Sequence, residues 1–558
     1  MNRASASIGI RLGSALILLV LGNAGARLEA ADAAPATCSS CHDQGQKLEK
    51  SAHTGLPCET CHESHEKYPH PANIPKPVCT TCHEDQAGDY ANGVHGQARK
   101  AGNEGAPDCG LCHGSAHELL PPKSQAFRTG VLDTCGMCHT AVVDQYKASV
   151  HGQALARGVT QAPLCTDCHG EHKIIKHTSQ ESPVNAAQIR NTCGSCHDDV
   201  KLTRKFGLPS DRLVSFDSSF HGLAAKAGSQ TVANCASCHG AHYILPSSDP
   251  KSTINAKNLP KTCGQCHPGA GTRFAISQIH VTEGQKEPDA LRWVREFYLL
   301  VIPVTIGLML LHNGGDWIRK VIRLRFASQA RRQRGAASSH GGVRMLGFER
   351  LQHAVLVISF FTLVWTGFAL KYPDQWWARP LLMMEGSHSM RSLIHRVAAV
   401  VFMAVTVTHL VSLIVSRKLR AHWKEMWPNI NDPREALSGF AYNLGLGDTP
   451  PARSPHSYVE KAEYWAVVWG AAVMIATGVL LWANNFVLRH LAKSWLDVAT
   501  SVHFYEALLA TLAIVVWHLY SVIFDPDVYP LNTAFWTGDS VKKPEAEKEH
   551  EPAGTAGD

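Results

Sequence analysis

The stretch SVHGQALARGVTQAPLCTDCHGEH, residues 149–172, decides how the N-terminal half of the chain is read. At its centre stands Cys165-Thr166-Asp167-Cys168-His169. The same Cys-x-x-Cys-His spacing occurs nine times between Cys38 and His267 and uses all 18 cysteines of the 558-residue chain. Two thiols three residues apart can each form a thioether to one haem vinyl group, and the adjacent imidazole then reaches the iron. The attachment cysteines are Cys38 and Cys41, Cys58 and Cys61, Cys79 and Cys82, Cys109 and Cys112, Cys135 and Cys138, Cys165 and Cys168, Cys193 and Cys196, Cys235 and Cys238, Cys263 and Cys266. The proximal histidines are His42, His62, His83, His113, His139, His169, His197, His239 and His267. One such motif alone is equally a redox dithiol or half a zinc site. Nine with no cysteine left over point to nine covalently bound c haems, and cysteines used this way form no disulfides.

The opening stretch also brackets its motif with two further histidines, His151 and His172. SAHTGLPCETCHESH (51–65), GVHGQARKAGNEGAPDCGLCHGSAH (93–117) and SFHGLAAKAGSQTVANCASCHGAH (219–242) repeat the arrangement, adding His53, His65, His95, His117, His221 and His242. His280 follows the ninth motif. These are nine candidates for nine distal positions, although the sequence does not assign each to its iron. Iron held by two imidazoles has no position left for a substrate, so this head reads as an electron wire. His70 and His177 are left as surface histidines. The segments between motifs are rich in Gly, Pro and polar residues. They predict a multihaem c-type cytochrome domain organised by its haems, mostly irregular, with short helices after each motif and little strand.

Composition divides the chain further. Residues 1–26 read as a signal peptide, with Arg3 and Arg11 before the apolar run Leu12 to Leu21 and a small-residue site at Ala24-Gly25-Ala26. Residues 27–290 form the haem head, in which acidic and basic residues nearly balance. With haem propionates added, the head suits basic or uncharged redox partners. Residues 291–530 contain five apolar stretches, Val294–His312, Leu351–Leu370, Leu393–Val415, Tyr464–Trp482 and Val502–Phe524, each near the ~20 residues that span a bilayer. They predict an all-α transmembrane bundle. Residues 531–558 end in a charged, apolar-poor tail expected to be disordered, and ASQARRQRGAASSHGG (327–342) is expected to be a mobile loop.

Basic residues set the expected orientation. The first-to-second loop carries Arg319, Lys320, Arg323, Arg325, Arg331, Arg332, Arg334 and Arg344, and the third-to-fourth loop carries Arg417, Lys418, Arg420, Lys424, Arg434, Arg453 and Lys461. The other two loops carry only Lys371 and Arg379, then Arg489 and Lys493. This places the head in the periplasm of a bacterial inner membrane and the C-terminus in the cytoplasm. The basic loops also account for the modest net charge of +6, so no nucleic-acid partner is inferred.

Histidines within the spans are costly unless they have a task. His395 and His409 are 14 apart on the third span, and His503 and His518 are 15 apart on the fifth. At 1.5 Å rise and 100° per residue, either spacing returns to nearly the same face after roughly 21 to 23 Å. Two facing helices so equipped can clamp two b haems, one near each membrane surface; interhelical hydrogen bonding is the plainer alternative.

ERLQHAVLVISFFTLVWTGFALKYP (349–373), RSLIHRVAAVVFMAVTVTHL (391–410), EYWAVVWGAAVMIATGVLLW (463–482) and SVHFYEALLATLAIVVWHLY (501–520) resemble the dihaem cytochrome b subunit of membrane-bound hydrogenases and formate dehydrogenases. The resemblance implies His395 and His503 as ligands of the periplasmic-side haem, and His353 and His518 as ligands of the cytoplasmic-side haem. The chain departs from that pattern in having His409, which competes with His353 for the inner iron, and in the spacing of 15. Head and membrane half together resemble the inner-membrane quinone-linked cytochromes of bacteria that respire metals or other extracellular acceptors.

That resemblance implies oxidation of menaquinol and delivery of electrons to periplasmic c-type cytochromes, with the quinone site beside the inner haem. Whichever of His353 and His409 does not bind iron can exchange quinone protons. His312 either joins that site or sits at the interface, and Glu506 is either a proton group near the outer haem or an interfacial carboxylate. Two alternatives stand beside quinol oxidation: flow from a periplasmic donor back to quinone, and a terminal multihaem reductase of a small oxyanion. The last would require a haem lacking a distal ligand or an unusual attachment motif, and the head shows neither.

Overall fold

The structure is a computed structural model that describes residues 38–62, 76–209, 211–271, 280, 288–326, 344–385, 389–447 and 456–538. The expected signal peptide, His65, His70, the 327–342 loop and the tail beyond 538 lie outside the described residues. Among the described residues every regular element is helical. The chain divides into two compact units, Met1–His83 with Pro107–Arg128, and Glu84–Ala106 with Thr129–Asp558.

In the first unit the motifs form single turns, Cys38–Ser40, Cys58–Thr60, Cys79–Thr81 and the helix Cys109–His113. The histidine N–H donates to the carbonyl of the first cysteine at 3.0 Å for His42 and His62 and 3.1 Å for His83. One closed turn therefore fixes two thiols and an imidazole within five residues, the geometry that three bonds to one porphyrin require.

In the second unit the repeat builds helical corners. Thr140–Ala148 turns through Ser149 into Val150–Ala156, and Arg212–Ser218 turns through Ser219 into Phe220–Lys226. Glu84–Asn92 and Val94–Lys100 meet at Gly93 in the same way. Each serine caps the second helix by accepting the N–H of Gly152 or Gly222. These glycines follow the histidine because the corner brings two backbones together. A Cβ on Gly96 or Gly152 would lie 2.1 Å from the carbonyl oxygen of Tyr90 or Tyr146, and one on Gly222 would lie 2.0 Å from that of Phe216.

The sequence predicts a short helix after each motif; among the described residues helices follow the first, third, fifth and seventh. After the fourth, sixth and eighth, Gly114, Gly170 and Gly240 take φ of 81°, 83° and 79°, which ends the turn and reverses the chain. Buried apolar side chains between Leu132 and Leu245 are few, and several are alanines.

Five helices are long and apolar enough to cross a membrane: α1 (Asp289–Phe326), α2 (Gly347–Lys371), α3 (Met390–Val415), α4 (Tyr458–Trp482) and α5 (Ser494–Phe524). The first runs well beyond the expected end at His312. Gly314 and Gly315 do not break it, because Gly315 lets the helix Asp432–Asn443 approach until a Cβ would stand 2.6 Å from the Asn443 carbonyl oxygen. Antiparallel pairs α2 with α3 and α4 with α5 make the closest packing, and α1 lies against α5. Glu349 and Glu460 start α2 and α4 by accepting the N–H of Leu346 and Ser457. From Ile514 onward α5 widens into π-helix. The wider turn absorbs one extra residue, so His503 and His518, 15 apart, keep the facial relation that 14 would give in an α-helix.

Candidate functional site

In the first unit the rings of His53 and His83 have centroids 6.0 Å apart, and those of His62 and His117 are 5.9 Å apart. In the second unit the pairs are His95 with His139 at 6.3 Å, His151 with His197 at 6.2 Å, His169 with His242 at 6.0 Å, and both His221 with His267 and His239 with His280 at 6.2 Å. Two imidazoles bonded from opposite sides to one metal, each at about 2 Å, put their ring centres roughly 6 Å apart. Each of these seven pairs joins one motif histidine to one histidine outside the motifs. His113 belongs to the first unit and His172 to the second, and His65, expected as a distal histidine, lies outside the described residues.

Backbone bonds tie the non-motif histidines together. The N–H of Ala52, Val94 and Val150, each just before such a histidine, donates to the carbonyl of Leu119, Ile174 and Ile244 at 2.7, 2.7 and 2.9 Å. These acceptors lie two residues beyond His117, His172 and His242. The thiols make the complementary contacts: Cys38 with Cys58, Cys79 with Cys109, Cys135 with Cys165 and Cys193 with Cys235 are in hydrogen-bond contact. None of the 18 cysteines forms a disulfide. Burial, reinforced by the charge of His197, lowers His151 to about 4. Burial and the neighbouring His280 do the same for His239. Both therefore remain neutral at pH 7, the form in which imidazole binds a metal.

In the bundle, Thr366 on α2 donates its hydroxyl to the Thr362 carbonyl at 2.6 Å and so accepts from His395 Nδ1 at 2.8 Å. Thr477 on α4 donates to the Val473 carbonyl and accepts from His503 Nδ1 at 2.9 Å. Each bond leaves the Nε2 lone pair for a metal, the usual way a protein orients a ligand imidazole. The glycines that follow, Gly367 and Gly478, would carry a Cβ only 3.5 and 3.4 Å from the His395 and His503 rings. Arg391, one turn before His395, is buried with its Nε 3.7 Å from Glu385 Oε1, and Arg396 directly follows His395.

At the opposite end of the same helices, the His353 and His518 rings are 6.2 Å apart, and Glu463 accepts from His518 Nδ1 at 3.0 Å. His409 is arranged differently. Its Nδ1 meets Gln352 Oε1 at 3.0 Å and its Nε2 meets the Tyr464 hydroxyl at 2.9 Å, so both nitrogens are engaged. Trp423 donates to the same hydroxyl at 2.6 Å. His312 is also engaged twice, with Asn313 Oδ1 and the Tyr458 hydroxyl, and it stacks on Trp517 at 5.0 Å. Asn313 in turn holds the Val516 carbonyl in the π-helical segment. Glu506 is buried and accepts from the Tyr298 hydroxyl at 2.8 Å. Among the described residues no cluster of three or more His, Cys, Asp or Glu forms a metal site, and the arrangement is one of pairs.

Sequence reasoning missed Thr366, Thr477, Gln352, Glu463 and Tyr464. The signal was present as a repeat: Thr-Gly at 366–367 recurs at 477–478, and Glu349, Gln352 and His353 in α2 stand where Glu460, Glu463 and Tyr464 stand in α4. Head and bundle meet at two connections: at α4–α5, His267 Nδ1 lies 3.0 Å from Asn485 Oδ1 and Arg489 crowds Gly269, and at α2–α3, Lys226 reaches Asp374 at 3.9 Å.

Residues 344–535 match the family model described as prokaryotic cytochrome b561. The cytochrome b556 subunit of formate dehydrogenase from Haemophilus influenzae is 23% identical over 193 residues, which cover 35% of this chain and 70% of that protein. These similarities and the five spans support an integral b-type membrane cytochrome, for which the family implies b haems.

Proposed function

We propose that this protein oxidises a quinol, menaquinol in the first instance, at the cytoplasmic side of the bacterial inner membrane. Electrons then pass through two b haems and nine c haems to periplasmic cytochromes. The observation that carries this reading is the run of histidine pairs that share one unit: His353 with His518, then His395 with His503, then His221 with His267 at the α4–α5 connection.

The residues present fit the haems. The ring separations suit iron between two imidazoles, the threonine and glutamate acceptors fix the ligand tautomer, and Gly367 and Gly478 leave room for a macrocycle. Arg391 and Arg396 are suitably charged for propionates of the outer haem. Bis-imidazole iron supplies one-electron transfer without an open coordination position. His353 is the inner ligand on this reading, because His409 has no nitrogen to spare. His409 and Tyr464 then take the quinol hydroxyl proton, with His312 and Tyr458 nearby in the same half of the bundle.

Sequence charge asymmetry supports a periplasmic head and a cytoplasmic C-terminus. With the quinol inside, each electron moves outward down a membrane potential worth ~2.3 kcal/mol per 100 mV, so turnover draws on that potential. Collapsing the potential in vesicles with an ionophore should therefore slow haem reduction by quinol. The direct test is anaerobic mixing of oxidised protein with menaquinol while b and c absorption bands are followed separately. The reading requires the b bands to reduce first and the c bands to follow. Failure of quinol to reduce either, with electrons passing from a prereduced head to menaquinone, would reverse the direction.

A further inference from the structure

A line of titratable side chains runs from the His409–Tyr464 pair to the basic loop face of the bundle. Glu349, in the first turn of α2, accepts from the Leu346 N–H with Oε2 and meets His422 Nδ1 with Oε1 at 3.0 Å. The His422 ring stands 5.7 Å from that of His456. His456 Nε2 lies 3.2 Å from Glu425, whose side chain is 57% exposed. At the buried end, Glu349 is close enough for its charge to act on both His409 and Tyr464, and Gln352, one turn along α2, bonds His409 directly. Two atoms along this line, His422 Nε2 and Gln352 Nε2, are buried without a protein partner.

The surroundings suit proton passage. Arg344 and the His456 contact hold Glu460 beside the line, and Lys461 is paired with Asp432 at 2.9 Å. A structural ion-pair network would not need to alternate carboxylate, imidazole, imidazole and carboxylate from a membrane histidine to solvent.

We infer that Glu349, His422, His456 and Glu425 form the route by which quinol protons leave for the cytoplasm; this rests on the quinol-oxidising reading above. Each quinol releases two electrons and two protons as its two O–H bonds break. The electrons go singly to the ferric inner b haem, and each proton forms an N–H bond at His409 Nε2, directly or through Tyr464. It then passes to the Glu349 carboxylate, whose charge acts on both His409 and Tyr464, and onward through His422 and His456 to Glu425 and solvent. His409 is thereby returned to its neutral form for the second proton.

The test uses the full holoprotein in vesicles, with menaquinol as reductant and a pH-sensitive dye on the loop face. His456→Gln and the surface variant Glu425→Gln should keep the dithionite-reduced b and c spectra of the parent. They should slow quinol-driven b reduction and dye-detected proton release together by about 10²-fold, within the range for losing a proton-transfer group, with a larger solvent deuterium effect and partial rescue by added imidazole. Parental rates and an unchanged pH profile in both variants, with the parent still reduced by quinol, would overturn the route alone. A parent that quinol does not reduce would remove the quinol reading and the route with it.

Discussion

His409 Nε2 lies 2.9 Å from the Tyr464 hydroxyl, at the same level of the bundle where His353 and His518 stand 6.2 Å apart. The two pairs occupy related places in the α2–α3 and α4–α5 halves. In one half the second-helix histidine is held by Glu463 and faces another imidazole, and in the other it is held by Gln352 and faces a phenol. On the proposed reading, the difference separates a haem-ligand pair from a hydrogen-bonded pair.

His353→Ala should therefore remove one of two b haems, counted as pyridine haemochrome. His409→Ala should retain both and slow reduction by quinol about 10²-fold or more, as expected when a general base is lost. Loss of a b haem in His409→Ala with retention in His353→Ala would reverse the assignment.

Glu463 places a carboxylate on His518 Nδ1, whereas the outer histidines bond neutral threonine hydroxyls. On the proposed reading, a stronger acceptor makes the imidazole more basic and would favour ferric iron, giving the inner haem the lower potential that outward electron flow requires. Glu463→Gln should raise the inner potential in an anaerobic redox titration. Thr477→Val should shift only the outer haem and weaken its retention by about 10–100-fold.

Gly152→Ala should open the helical corner that carries His151, because the new Cβ would meet the Tyr146 carbonyl oxygen at 2.1 Å. The expected cost is about 1–3 kcal/mol. Electron paramagnetic resonance should then show a high-spin ferric signal from the haem of the seventh motif. An unchanged low-spin spectrum would mean that the corner relaxes without moving the ligand.

The head has few buried apolar side chains of its own, so its stability should follow its haems. Replacing both Cys193 and Cys196 by serine should leave the membrane bands intact and make the head markedly more sensitive to protease than the parent. Equal protease resistance would show that the polypeptide supports itself.

Much of this protein was legible in the chain because haem attachment and membrane crossing are local properties. Five residues contain the attachment motif, about twenty apolar residues contain a span, and the spacing of His503 and His518 lies within one helix. The unexpected spacing of 15 was legible only as an anomaly, since the π-helical turn that accommodates it also depends on Asn313 from α1 taking the Val516 carbonyl.

What tertiary structure decided is which histidines meet. His117 pairs with the second motif and His53 with the third, and neither choice follows from distance along the chain, because corners and backbone bonds from Ala52 to Leu119 set it. In sequence the family resemblance points to His353 as the inner ligand, with His409 as a competitor. Only the packing of α2, α3 and α4 occupies both nitrogens of His409. An imidazole has two nitrogens, and the partner of each is chosen by helices far apart in sequence.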